Sequence, residues 1–239
     1  MWTQTSGATE VTDYEPNFHF RTEELDALAM LRAARKYARE NATAKTPESA
    51  TNLEVAVLGS YSTQYASSCL EYLLNDQSGE RAQVFDGEYD SILSSILDDN
   101  SQLHALEPNI LVLLPDTKDI VSFVPKKFAS SAKITQQVDE VVQFYERLWA
   151  KAPARSTILQ ANFVLQNLRV LENLDANYAW SSRSFTAAVN LELMRRRPSN
   201  VLLSILSNLR AQLEKISGSI IPHVICTGMV FHWIFCRKL

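Results

Sequence analysis

Cysteine and histidine are both scarce in this chain of 239 residues. The three cysteines, Cys69, Cys226 and Cys236, form no Cys-x-x-Cys pair, so no zinc or dithiol motif is present. The four histidines, His19, His104, His223 and His232, show no H-E-x-x-H or H-x-E-x-H spacing. Metal catalysis is therefore not expected, and no metal site is assigned. Positive charge is not in excess either. A net charge of −4 gives no broad attraction to nucleic acid or to an anionic membrane, and neither is expected as a partner. The one dense basic run, Arg195-Arg-Arg197, reads as a solvated helix end, where cations suit the dipole. No N-terminal signal peptide is evident. With so little cysteine, the expected setting is reducing and cytoplasmic.

What is present suits one packed domain. Apolar residues make up 46% of the chain and charged residues 21%, enough to bury one good-sized core. Residues 1–51 read as an irregular start, a helix and a linker. The helix spans Leu25 to Arg39, with Leu25, Leu28, Leu31 and Ala34 at helical spacing. An α/β unit follows over residues 52–218.

Its first strand, Glu54–Leu58, runs into a Gly-Ser turn and a helix from Gln64 to Leu74. A turn is expected at Asn75–Gly79, then a second strand, Ala82–Phe85, and a short helix through Ile92, Leu93, Ile96 and Leu97. Ile110–Leu114 is a continuous apolar run, the mark of a strand covered on both faces. The longest amphipathic helix is Lys133 to Lys151, with Ile134, Val138, Val141, Val142, Tyr145 and Leu148 on one stripe. Strand four is Ser156–Leu159, and a helix follows from Ser184 to Arg197. Val201–Leu206 reads as strand five or as a helix start. This alternation predicts an α/β, three-layer parallel sheet of four or five strands with helices on both faces, SGNH- or flavodoxin-like.

The last stretch, residues 219–239, does not fit. It is almost wholly apolar yet contains Pro222, His223, Gly228 and His232. A buried final element and a truncated or frame-altered end are both compatible with it. A membrane anchor is disfavoured by its length and its proline.

Ligands of α/β proteins bind beyond the carboxyl ends of the strands. The residues expected there are Gly59, Ser60, Ser62 and Thr63 after strand one, Gly87 after strand two, Asp116 and Asp119 after strand three, and Asn162 after strand four. Ser60, Ser62 and Thr63 have three readings: caps for orphan helix N–H groups, parts of an anion site, or a nucleophile. Asp116 and Asp119 read as turn caps or as ligand groups. Tyr61, Tyr65 and Tyr89 lie near the same edge, although Tyr65 shares helical spacing with Cys69 and reads as core.

Leu58-Gly-Ser-Tyr-Ser-Thr-Gln-Tyr65, Phe85-Asp-Gly-Glu-Tyr-Asp90, Ile96-Leu-Asp-Asp-Asn-Ser-Gln-Leu103 and Leu113-Leu-Pro-Asp-Thr-Lys-Asp119 resemble the N-terminal region of FkbH-like proteins of HAD-superfamily subfamily IIIC. The resemblance runs from about Asn52 to Gly218. It implies an SGNH-hydrolase-like α/β domain preceding a HAD catalytic domain, in polyketide, nonribosomal peptide or glycan biosynthesis. It further implies glyceryl or acyl transfer to an acyl carrier protein, or a phosphorylated or acyl small-molecule substrate. The sequence contains no Asp-x-Asp, so no cofactor is expected in this chain. Mg²⁺ is expected only for the HAD domain that the family adds.

Against the SGNH pattern, Gly59 fits the first glycine, but Ser60 takes the Asp position and Tyr61 the Ser position. Gly87 fits the oxyanion glycine. No Asp-x-x-His occurs, so a serine here has no placed base. The resemblance thus implies a non-hydrolytic domain that binds substrate or carrier protein. The alternatives are a serine-dependent transferase or esterase using Ser60 or Ser62, and an inactive remnant.

Overall fold

A computed structural model describes residues 27–41, 52–78, 81–165 and 172–204. The expectations for the first 20 residues, for the linker and for the apolar stretch 219–239 lie outside those residues. Among the described residues no helix is long and apolar enough to cross a membrane.

Five strands form one all-parallel sheet: β1 (Asn52–Gly59), β2 (Arg81–Asp86), β3 (Ile110–Leu114), β4 (Thr157–Ala161) and β5 (Val201–Ser204). Their order is β2-β1-β3-β4-β5. Alternate side chains of each strand enter opposite layers. Val55, Val57, Ile110, Val112, Leu114 and Leu159 pack against Leu31 and Ala34 of α1 (Ala27–Asn41) and against Cys69, Leu70, Leu73 and Leu74 of α2 (Gln64–Ser78). Ala56, Leu58, Leu111, Leu113, Ile158 and Val201 face the other way. They meet α3 (Ile92–Leu97), α4 (Gln102–Leu106), α5 (Ser131–Lys151) and α6 (Ser182–Arg196). The expected three-layer α/β architecture is the one observed, with five strands.

Every residue of β3 is buried, as its unbroken apolar run requires. The stripe of α5 is buried from Ile134 to Leu148. Cys69 is fully buried in the core, and burial pushes its thiol up to about 11. Other details differ from the sequence reading. The turn expected from Asn75 begins later, because α2 continues to Ser78. There the Asn75 side chain bridges to β2, donating to the Ala82 carbonyl at 2.9 Å and accepting from its amide at 3.1 Å. Asp98–Ser101 ends α3, but Ser101 also caps α4, a helix too short to show periodicity. The three arginines end α6: Arg196 pairs with Asp139 and Glu192, while Arg197 donates to the Val201 carbonyl at 2.9 Å.

Candidate functional site

β1 pairs with β2 on one side and with β3 on the other, so the chain reverses direction of winding between β1 and β3. That is the topological switch point at which such sheets bind ligands. Gly59 ends β1 in register with Leu114, the end of β3. The two exits therefore lie side by side.

Ser60 follows Gly59 and is 2% exposed. Its amide continues the ladder to the Leu114 carbonyl at 3.2 Å, and its hydroxyl donates to Oδ2 of Asp119. Asp119 belongs to a 3-10 turn, Thr117–Phe123, that opens after Pro115. The same Oδ2 accepts the Asp116 amide at 2.9 Å, and Asp116 Oδ1 accepts the Lys118 amide at 3.2 Å. This is a reciprocal capping box. Burial raises the Asp119 carboxyl above its usual range, although Ser60, the Asp116 amide and Lys118 all pull it down.

Lys118 completes the corner. Its ammonium donates to the Ser60 carbonyl at 2.6 Å, stands 3.8 Å from Asp90 and lies 5.2 Å from the centroid of the Tyr89 ring. Desolvation draws its pKa down, but the Tyr89 hydroxyl with Asp90 and Asp119 outweighs it, and the net direction is upward. Three strand exits are thus tied together, β1 through Ser60, β2 through Tyr89 and Asp90, and β3 through Lys118 and Asp119.

β4 joins through Thr117, whose hydroxyl donates to the Val164 carbonyl at 2.8 Å. Asn190 of α6 clamps the β4 exit by accepting the Phe163 amide at 3.0 Å and donating to its carbonyl at 2.8 Å. Asn162, beside that clamp, is buried, and its Oδ1 finds no partner among the described residues. Gln160 lies two positions earlier, within β4. It accepts from the Trp149 indole at 2.7 Å, while its Nε2 is also unpartnered.

The other sequence candidates have structural duties. Thr63 is buried, and its hydroxyl donates to Asp86 at 2.6 Å, as does that of Ser67. A Cβ on Gly59 would come within 2.4 Å of the Thr63 methyl and 3.1 Å of the Tyr61 carbonyl. The Gly87 amide donates to the Val57 carbonyl at 2.8 Å, which occupies the donor an oxyanion would need. Ser62 is exposed and makes no hydrogen bond among the described residues. Tyr65, read as core, is instead 42% exposed, with Arg35 over its ring. It stands in the first turn of α2.

His104, the one histidine among the described residues, lies on α4 before β3 and bonds the Ile96 carbonyl at 3.0 Å. It sits at the amino end of β3, away from Ser60. Among the described residues no three His, Cys, Asp or Glu side chains gather closely enough to hold a metal ion. Lys118 escaped the sequence reading because nothing in the spacing of Asp116 and Asp119 singles out the lysine between them.

A family model described as FkbH, N-terminal domain, matches residues 54–230. The chain belongs to that family. This FkbH N-terminal domain also shares its fold with a crystal structure from Bacteroides fragilis. That structure is the N-terminal part of the protein BF1531, containing a phosphatase domain complexed with Mg, and it superposes at a TM-score of 0.64 with 15% identity. The match covers 86% of this chain and 55% of that one, so the chain spans about half the length of that relative. No curated protein matches the chain.

Proposed function

We propose that this FkbH N-terminal domain is a non-hydrolytic binding domain. It presents the rim around Ser60, Ser62, Lys118, Asp119 and Asn162 to an acyl carrier protein, or to a phosphorylated or acyl substrate. It does so in the service of a HAD-type phosphatase and glyceryl or acyl transfer domain. One observation carries this reading: the Ser60 proton is directed at a carboxylate, not at an imidazole. A carboxylate is too weak a base to generate a serine alkoxide, and a serine without an adjacent base is a poor nucleophile. As a donor to Asp119, Ser60 keeps lone pairs to accept from a ligand, and Lys118 supplies a cation. The phosphatase domain in the Bacteroides fragilis structure supports the pairing with phosphate chemistry.

Two measurements test this. An activated phosphonate or acyl ester is expected to leave Ser60 and Ser62 unmodified by mass spectrometry. Holo acyl carrier protein is expected to bind saturably, with shifts centred on residues 60–63 and 116–119. Stoichiometric labelling of either serine would replace this reading with the transferase one. Absence of carrier binding at high micromolar concentration would remove the carrier as partner.

A further inference from the structure

The β3–α5 and β4–α6 connections leave the sheet at the same carboxyl edge, and each raises an aromatic ring toward the other. Phe128 is 84% exposed and stands 5.5 Å from the Trp180 ring, which in turn lies 5.1 Å from Tyr178. Phe128 occupies a turn in which the Ala129 amide donates to the Lys126 carbonyl at 3.1 Å. Its φ is 62°. A turn with positive φ at its third residue is the type II pattern, a place for glycine. A bulky residue held there is strained, and such strain persists where function uses it. No core contact accounts for Phe128, since the ring is almost wholly in solvent.

Three exposed cations flank these rings, while the carboxylate-bearing Asp175, three residues before Tyr178, is buried. Lys126 and Lys127 precede Phe128 and are exposed, and neither side chain makes an ion pair or hydrogen bond among the described residues. Arg183 is exposed in the first turn of α6, where the helix dipole disfavours a cation. It is likewise unpaired among the described residues. Three unpaired cations therefore frame three aromatic rings on a chain whose net charge is −4. Aromatic residues and arginine dominate binding energy at protein interfaces. A diffuse attraction to lipid or nucleic acid would instead need a broad positive field, which this chain lacks.

We infer that Phe128, Trp180 and Tyr178, framed by Lys126, Lys127 and Arg183, form a docking surface for an acidic protein partner that presents carboxylates around an apolar helix face. The partner would sit beside the Ser60–Lys118 rim and could deliver a tethered group to it. The surface stands on its own geometry. Only the naming of a carrier protein as its occupant rests on the binding-domain reading.

The experiment uses the full chain and two probes: an amphipathic helical peptide with a glutamate-rich polar face, and holo acyl carrier protein. Phe128→Gly and the pair Lys126→Glu with Lys127→Glu are each expected to weaken peptide binding at least about tenfold. Arg155→Glu, at the amino end of β4, should leave it unchanged. Phe128→Gly should melt no lower than wild type, because it relieves the turn. Equal peptide binding by wild type and patch variants overturns the surface, as does no binding at all or a preference for phosphatidylglycerol vesicles over the peptide. If the carrier binds all variants alike, this surface fails and the carrier reading stands. If the peptide binds through the patch and the carrier does not bind, the surface stands and the carrier reading fails.

Discussion

The hydroxyl of Ser60 donates to the carboxylate of Asp119, 59 residues further along the chain. The bond closes the switch point between β1 and β3, and Asp119 is at once an acceptor for Ser60 and half of a capping box. One carboxylate therefore holds both the serine and the turn that carries Lys118.

Replacing Asp119 by Ala should destabilise the fold by about 1–3 kcal/mol, the cost of a lost cap and of a buried hydroxyl left unpaired. Asp119→Asn keeps an oxygen acceptor and should lose less. Urea denaturation of the two variants would show it. Equal losses would mean that the carboxylate's hydrogen bonds do not hold the corner.

The pH dependence has a definite sign. Burial raises the Asp119 carboxyl above 3.8 in the folded chain, so the folded state binds that proton more tightly than the unfolded one. Such a group stabilises most below its unfolded pKa, and its contribution is lost as pH rises through the folded value. Urea midpoints from about pH 3 to about pH 7 should therefore show the stability of wild type, relative to Asp119→Asn, falling with pH. A relative rise over that window would contradict the burial effect.

Gly59→Ala should cost about 1–3 kcal/mol by overpacking, since its Cβ meets the Thr63 methyl at 2.4 Å. Thr63→Ser removes that methyl and keeps the hydroxyl that donates to Asp86. Adding it to Gly59→Ala should recover part of the loss in thermal melts. Strictly additive effects would place the strain elsewhere, at the Tyr61 carbonyl.

Asn190→Leu should free the β4 exit by removing both hydrogen bonds to Phe163. About 1–3 kcal/mol is expected from the unsatisfied backbone groups. Hydrogen exchange at the Phe163 amide should accelerate beyond the change in global stability. An unchanged exchange rate would show that the clamp does not order this loop.

Much of the fold was legible because periodicity reports burial. The unbroken run Ile110–Leu114 and the stripe of α5 are apolar because both lie in the core, and each stands where the pattern puts it. Tyr65 shows the limit of that reading. It shares spacing with Cys69 yet is 42% exposed one turn earlier, with Arg35 over its ring, and a helical phase alone cannot tell where the core stops. The short α4 and the 3-10 turn Thr117–Phe123 offered too few residues for any period to emerge.

The sequence by itself determined the alternation of apolar strands and amphipathic helices, the parallel α/β class and the positions of the polar strand ends. These are local matters, set by side-chain period and by where the chain can turn. Tertiary structure alone decided which polar groups meet. The pairing of Ser60 with Asp119, the reach of Lys118 to Tyr89 and Asp90, and the meeting of Phe128 with Trp180 depend on strand order and register. Those are fixed by burial summed over the whole sheet, which no short stretch of residues encodes.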